Sequence, residues 1–187
     1  EMRNRIRNVF KLYNGVPLET PIYEFRKTLM EKYGEDEKLV FDLAAPEGAD
    51  TLCLRYDLTV PFARYMAMTG VVSMTKYQFG KVYRRDTPQV GSGRYQEFEQ
   101  CDFDIAGEYD KMKAEAEILN VVIDVLDVLE INTYVIKLNN KTLLFILLKI
   151  CGVPDSKLIT VCSSIDKLDK KPWTEIAEEL KIKETSD

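Results

Sequence analysis

The sequence predicts an α+β fold: an antiparallel sheet with flanking helices, followed by a mostly helical segment. Three observations predict it. Two extended runs, from about Lys76 to Arg84 and from Tyr95 to Ile105, flank a ten-residue segment, Arg85–Arg94. A long amphipathic pattern over Lys111–Leu129 leads into an alternating stretch, Thr133–Leu138. From Asn139 onward the character changes and the spacing of apolar residues is helical. A helix followed by one more strand is what a sheet with helices behind it requires.

In chain order, Glu1–Tyr13 carries Ile6, Val9, Phe10 and Tyr13 at helical spacing, and Asn14-Gly15 ends that helix. Val16–Phe25 is extended but interrupted by Pro17 and Pro21, as an edge strand tolerates. Arg26–Tyr33 reads as a short helix closed by Gly34. Leu39–Leu43 and Thr51–Leu54 read as short strands around a hairpin tip, Ala44–Asp50. Val60–Met68 is a helix with Pro61 in its first turn, and Thr59 stands where a cap belongs. In Lys111–Leu129 the stripe Ile118, Val121, Val122, Val125 and Leu129 faces inward, with Lys111, Lys113, Glu115 and Asp127 in water. Thr142–Ile150 is an apolar helix ended by Gly152, Asp155 caps a second helical stretch, and Pro172 starts a third. Trp173 and Ile176 are expected to pack inward there, with Glu175, Glu178, Glu179, Lys181 and Lys183 on a solvated face.

Composition narrows the chemistry. A chain of 187 residues with 45% hydrophobic residues makes one domain or one and a fraction. No apolar run reaches a bilayer span, and no signal-peptide pattern opens the chain, so no membrane partner is expected. The start, EMRNRIR, has no initiator methionine and the end, KETSD, shows no natural terminus; an internal piece of a longer chain is expected. Cys53, Cys101, Cys151 and Cys162 lack close metal-ligand spacing and are expected to be buried or partly buried reduced thiols of a cytoplasmic protein. There is no histidine, which removes Ser-His and Cys-His nucleophiles, histidine bases and His-containing zinc sites. Chemistry must come from Arg, Lys, Asp, Glu, Tyr or bound metal. A net charge of −5 argues against a broad nucleic-acid-binding surface.

The segment between the two long extended runs is the strongest functional signal. Hairpin loops usually hold about 2–5 residues; this one holds Pro88, Gly91 and Gly93 between Arg84-Arg85 and Arg94, an arm suited to meeting an anion. Side chains alternate along a strand. Lys76, Gln78, Gly80, Val82 and Arg84 therefore share one face of the first run, and Gln96, Phe98, Gln100, Asp102 and Asp104 one face of the second. Cys101, Phe103 and Ile105 are left for a core. If the polar faces coincide, a guanidinium, a ring, an amide and two carboxylates meet on one surface, with space above Gly80. The alternative is a merely solvated sheet face.

These residues carry a resemblance. Arg84-Arg85-Asp86, the variable loop and Phe98 on the return strand resemble motif 2 of the class II aminoacyl-tRNA synthetases. RRDxP…GRYxEFxQCDFDIAG is similar to histidyl-tRNA synthetases of the cytosolic eukaryotic type, as are LRYDLTVPFARYMAM (Leu54–Met68), TPIYE (Thr20–Glu24), ICGVPDSK and CSSIDKLDK, to about Trp173. The resemblance implies the antiparallel class II catalytic core with motifs 1 and 2 over 1–139, and the beginning of a helical insertion over 140–187. It makes Pro21 the motif 1 proline of a homodimer interface. It implies activation of histidine by ATP and transfer to tRNA, with tRNA contacts mostly outside this chain.

The same resemblance assigns roles. Arg84 bridges the substrate carboxylate and the α-phosphate and is the catalytic residue; Arg94 holds the γ-phosphate; Asp86 takes the adenine amino group or shapes the loop; Phe98 stacks under adenine. Asp57, Leu58 and Thr59 meet the amino end of histidine, Gln100 lies near its amino and carboxylate ends, and Asp104 accepts the imidazole N–H. Magnesium rides on the ATP phosphates, with no protein metal site. Motif 3, the second histidine-binding loop and the anticodon-binding domain are not found in the sequence, so the chain alone is expected to be inactive. Other readings stay open. Arg84 can be a plain salt-bridge partner of Asp104 or Asp57, and Phe98 a core residue. The whole can be a non-catalytic module that binds histidine or uncharged tRNA. A class II synthetase for another amino acid is disfavoured by LRYDLT and QCDFDIAG. Asp102 and Arg85 carry no assignment.

Overall fold

A computed structural model describes residues 1–33, 40–44, 46, 48–85, 91, 95–169 and 171–185. The chain divides into two compact units, Glu1–Thr133 and Tyr134–Asp187. The first runs α1 (Met2–Leu12), β1 (Val16–Pro17), β2 (Tyr23–Phe25), α2 (Arg26–Tyr33), β3 (Leu52–Leu54), α3 (Thr59–Thr69), β4 (Met74–Tyr83), β5 (Glu97–Ala106) and α4 (Lys113–Val128).

The long hairpin β4–β5 is the spine of this unit. Its antiparallel register pairs Lys76 with Asp104, Gln78 with Asp102, Gly80 with Gln100 and Val82 with Phe98. Directly opposed residues in such a ladder point to the same side, so the two polar faces coincide as the alternation requires. The opposite face is apolar: Phe10 of α1 lies 5.5 Å from the Tyr77 ring and 5.1 Å from that of Phe103. Ile6, Phe10, Tyr77 and Val121 form the buried cluster there, joining α1 and α4 to the hairpin. Gly15 is required where α1 hands over to β1, because a side chain on it would meet the Phe10 carbonyl and the Phe103 ring at 2.8 Å.

β1 pairs with β4 in parallel, so the three-stranded sheet is mixed rather than wholly antiparallel. β2 and β3 form a second, antiparallel pair. The strand expected over Leu39–Leu43 is reduced, among the described residues, to a bridge between Asp42 and Cys53. Beneath this pair Leu29, Val40, Cys53 and Val60 make a smaller core. The carboxylate of Glu24 on β2 takes a bidentate contact from Arg64 of α3, at 2.7 and 2.8 Å, and ties the two elements together.

The second unit contains α5 (Lys141–Ile150), a 3-10 turn (Asp155–Lys157), α6 (Leu158–Ile165), a second 3-10 turn (Asp166–Asp169) and α7 (Trp173–Thr185). Asn140 caps α5, its Oδ1 accepting from the Leu143 N–H at 3.1 Å. Asp155 does not cap as expected: it opens the 3-10 turn and pairs with Lys149 at 2.8 Å. Ile176 is fully buried, but Trp173 is 64% exposed, the reverse of its expected inward packing. Glu179, expected in water, instead accepts from Ser164 and Lys167.

Two further expectations fail for physical reasons. Thr133–Leu138 pairs with no strand among the described residues; alternation gives a segment a strand-like pattern, but a strand needs a neighbour to bond. Of the cysteines Cys53 is buried and Cys162 half-buried, as expected, whereas Cys101 and Cys151 are exposed. Cys101 lies on β5, which has no partner on its outer side among the described residues.

Candidate active site

The polar face of the hairpin is covered rather than solvated. Lys76, Gln78 and Val82 are all buried. Three segments close over it. Thr20 lies against Gln78, whose amide donates to the Thr20 hydroxyl at 3.1 Å. Arg55 follows β3 and crosses the strand at Gly80. The first turn of α3 brings Phe62 over Lys76, its ring centre 5.1 Å from Nζ.

Gly80 therefore leaves space, as its lack of a side chain implies, but the space is taken. Its missing Cβ would lie 2.7 Å from Nη2 of Arg55 and 3.2 Å from Cδ2 of Leu58. Arg55 is buried and fixed there, donating from Nε to the Lys81 carbonyl at 2.7 Å and from Nη1 to the Thr20 carbonyl at 2.9 Å. Burial pulls its pKa below the usual guanidinium range. Leu58 is fully buried beside it.

Arg84 is held before any ligand arrives. Its guanidinium carbon lies 4.4 Å from the Tyr56 ring centre and 5.0 Å from that of Phe98, and Nε donates to the Tyr56 carbonyl at 3.3 Å. Cation–π contact with two rings and a hydrogen bond to a planar fork restrict its rotamers. Phe98 is half-buried on this face and not a core residue. Asp104, one of the two carboxylates open to Arg84 as a salt-bridge partner, is paired with Lys76, Nζ to Oδ2 at 2.6 Å. Asp57 lies just before α3, where Oδ1 accepts from the Val60 N–H at 3.0 Å. Asp57, rather than Thr59, is thus the side chain that caps this helix, and Thr59 is exposed at its start. Asp86 and Arg94 lie outside the described residues.

Deep on the face are polar atoms without hydrogen-bond partners. Gln100 Oε1, Lys76 Nζ and Asp104 Oδ2 are buried and make no hydrogen bond within the described structure. Lys76 Nζ and Asp104 Oδ2 meet each other as an ion pair at 2.6 Å, which leaves Gln100 Oε1 as the buried acceptor with no such contact. Buried polar atoms are ordinarily satisfied; a buried amide oxygen that is not, beside a partly open carboxyl, is what a polar ligand would complete. Asp102 stands next to them. Its carboxyl is pushed above the usual range by burial first; Asp104 and Asp57 add to this, while Lys76 and Arg84 oppose it. Those five charged groups share one electrostatic neighbourhood.

Alternation thus brought Arg84, Phe98, Gln100 and Asp104 together. It also placed Lys76 and Asp102 on that face, though without a role for either, and it missed Arg55. For Lys76 a signal existed, since it shares the parity of the site, but a lysine at the start of a strand reads as wet. Arg55 had no signal, because covering a strand from a distant segment leaves no local pattern. Pro21 is exposed between β1 and β2, with Ile22, Tyr23 and Phe25 exposed after it. Among the described residues no group of three or more Cys, Asp or Glu side chains could hold a metal ion, and no helix is long and apolar enough to cross a membrane.

Comparison with known proteins gives the family. A family model described as histidyl-tRNA synthetase matches residues 1–186. The cytoplasmic histidine–tRNA ligase of Oryza sativa is 55% identical over 94% of this chain, and the mitochondrial one of Homo sapiens 47% identical over 93%. The chain spans only 22% and 34% of those relatives. The crystal structure of histidyl-tRNA synthetase from Nostoc sp. superposes with a TM-score of 0.78 at 23% identity, over 99% of this chain and 41% of that one, a likeness of fold. With its hairpin site and a family match along nearly its whole length, the chain belongs to the histidyl-tRNA synthetases, class II aminoacyl-tRNA synthetases with an α+β catalytic core.

Proposed function

We propose that this chain supplies one wall of the active site of a cytoplasmic histidine–tRNA ligase, which joins histidine to ATP as histidyl-adenylate and then passes it to tRNA. The observation that carries the reading is the register of β4 and β5. It sets the orphaned acceptor of Gln100 and the carboxyl of Asp104 on the same face as the clamped Arg84. Adenylate formation is attack by a carboxylate on the α-phosphorus with pyrophosphate leaving. Two anions must be brought together, so positioning and positive charge do most of the work.

Arg84 offers two sides of one planar fork, suited to a carboxylate oxygen and an α-phosphate oxygen at once. Phe98 presents a ring on which adenine stacks, a contact worth about 1–3 kcal/mol for a base. Asp57 and Thr59, with the backbone at Leu58, take the α-ammonium. Gln100 Oε1 accepts a further N–H near the substrate's amino and carboxylate ends. Asp104 accepts from the imidazole ring. A buried acceptor for a specific N–H discriminates strongly, because a wrong side chain leaves it unpaired. Arg94 meets the γ-phosphate, and Asp86 the adenine amino group or the loop. The described acidic groups do not fit a resident metal site; magnesium enters with the nucleotide as part of the substrate.

Residues 140–187 fit the start of a helical insertion following the catalytic core over 1–139. Exposed Pro21, followed by exposed Ile22, Tyr23 and Phe25, is suited to a subunit contact in a homodimer. tRNA contacts fall mostly on other parts of the protein, consistent with the net charge of −5 here.

The test is ATP–pyrophosphate exchange by the protein at the full length of its relatives. Histidine alone among the amino acids should support it, and Gln100→Leu should raise KM for histidine. Exchange with another amino acid, or none with any, overturns the reading. The chain of 187 residues alone should give none. A module that only binds histidine or uncharged tRNA has no need of an arginine stacked at the nucleotide position, and the Arg84 clamp favours the enzyme.

A further inference from the structure

Lys76 is the least expected residue of the site. It is fully buried on the central strand, between β1 and β5. Its register partner is Asp104, which it touches at 2.6 Å, and the Phe62 ring lies beneath the ammonium at 5.1 Å. An apolar side chain of similar volume would fill that space without the desolvation cost of a buried charge. A lysine that is not needed for packing, and whose fully buried ammonium is spent on the Asp104 carboxylate, calls for another reason.

Resting on the reading of Asp104 as the acceptor for the imidazole N–H, we infer that Lys76 positions Asp104 and sets the charge that the ring meets. The ammonium occupies Oδ2 and fixes the plane of the carboxyl. Oδ2 is buried while the side chain keeps 24% of its surface, so the rest of the carboxyl is open to a ligand. The pair is neutral as a whole, and it accepts from a neutral imidazole. An imidazolium would stand beside an ammonium in a site of low dielectric, where like charges repel strongly. Without Lys76 the preference reverses, since a lone carboxylate attracts the cation. The charged groups facing the pair are Asp102 on β5, Asp57 ahead of α3 and Arg84 at the end of β4; Gln78, Gln100 and Phe62 are neutral.

The test is the pH dependence of histidine KM in ATP–pyrophosphate exchange, in the protein at the full length of its relatives, from about pH 5.5 to about pH 8. In the wild type KM should rise as pH falls through the free imidazole value of about 6.5. Lys76→Met should raise KM for histidine about tenfold or more at neutral pH. It should leave kcat and KM for ATP nearly unchanged, and abolish or invert the acid-side rise. Lys76→Arg should restore both. The double variant Lys76→Met with Asp104→Asn should be no worse than Asp104→Asn alone. A normal KM and an unchanged acid-side rise in Lys76→Met, with Asp104→Asn impaired, would overturn the role of Lys76. An unimpaired Asp104→Asn would instead remove Asp104 from the pocket, a separate failure. Should Lys76→Met not fold, Lys76→Arg decides: a kept acid-side rise supports the inference and its loss overturns it.

Discussion

Replacing Gly80 with alanine tests the packing that closes the site. The new Cβ would stand 2.7 Å from Nη2 of Arg55, 3.3 Å from its Cζ and 3.2 Å from Cδ2 of Leu58. Flexible side chains usually swing away from such a contact. Arg55 has little freedom to do so, because it is buried and donates to the Lys81 and Thr20 carbonyls. Displacing it breaks at least one hydrogen bond from a charged donor, about 1.5–3 kcal/mol. Overpacking against Leu58 adds about 1–3 kcal/mol. Alanine in place of glycine in a strand returns roughly 0.5–1 kcal/mol. The net loss is about 1.5–5.5 kcal/mol, and a melting temperature lower by roughly 3–22 °C follows for a chain of this length. Thermal unfolding followed by circular dichroism measures it. A double-mutant cycle with Arg55→Met isolates the cause: the alanine should cost at least ~1 kcal/mol less once the guanidinium is gone. A Gly80→Ala protein that melts with the wild type, or strict additivity in the cycle, refutes the argument.

Three more predictions follow the same geometry. Glu24→Gln removes the carboxylate from a bidentate pair whose acidic partner is 1% exposed; burying Arg64 unpaired costs up to about 3–5 kcal/mol, reduced because Arg64 is 21% exposed. Urea denaturation should show the loss, while breaking the exposed Arg26–Asp42 pair should cost less than about 1 kcal/mol. Arg84→Lys keeps the charge but loses the planar fork between Tyr56 and Phe98; exchange activity of the full-length protein should fall about 100-fold or more with an unchanged circular dichroism spectrum. Asp102 has a raised pKa, chiefly through burial, so its ionisation opposes folding as pH rises through the folded value. Asp102→Asn should therefore raise the melting temperature at neutral pH, and the gain should vanish as pH falls below the ordinary carboxylate range; a loss of stability at neutral pH would contradict this.

The hairpin was legible because its information is local. A period of two assigns each side chain of Lys76–Arg84 and Gln96–Asp104 to a face without knowledge of anything else, and the observed register needed only that assignment. What lies on top of a face is not local. Thr20, Arg55, Leu58 and Phe62 come from segments far from β5 in sequence, and no periodicity announces that they converge there. The same limit explains Trp173, whose helical position fits an inward residue while its surroundings leave it exposed. It also explains Thr133–Leu138, which alternates like a strand and has no neighbour among the described residues. The mixed character of the sheet escaped for a related reason: whether β1 runs with or against β4 depends on the path of the chain and not on its residues.

The clamp on Arg84 bears on the timing of catalysis. A free arginine surveys many rotamers, a disorder worth about 2 kcal/mol. Here Tyr56 and Phe98 have already frozen most of it out during folding. In the proposed reaction the incoming anions meet a fork that is aimed in advance, so little reorganisation is left for that step. Tyr56 touches no reacting atom in this scheme, yet trimming its ring would slow turnover by letting the guanidinium wander.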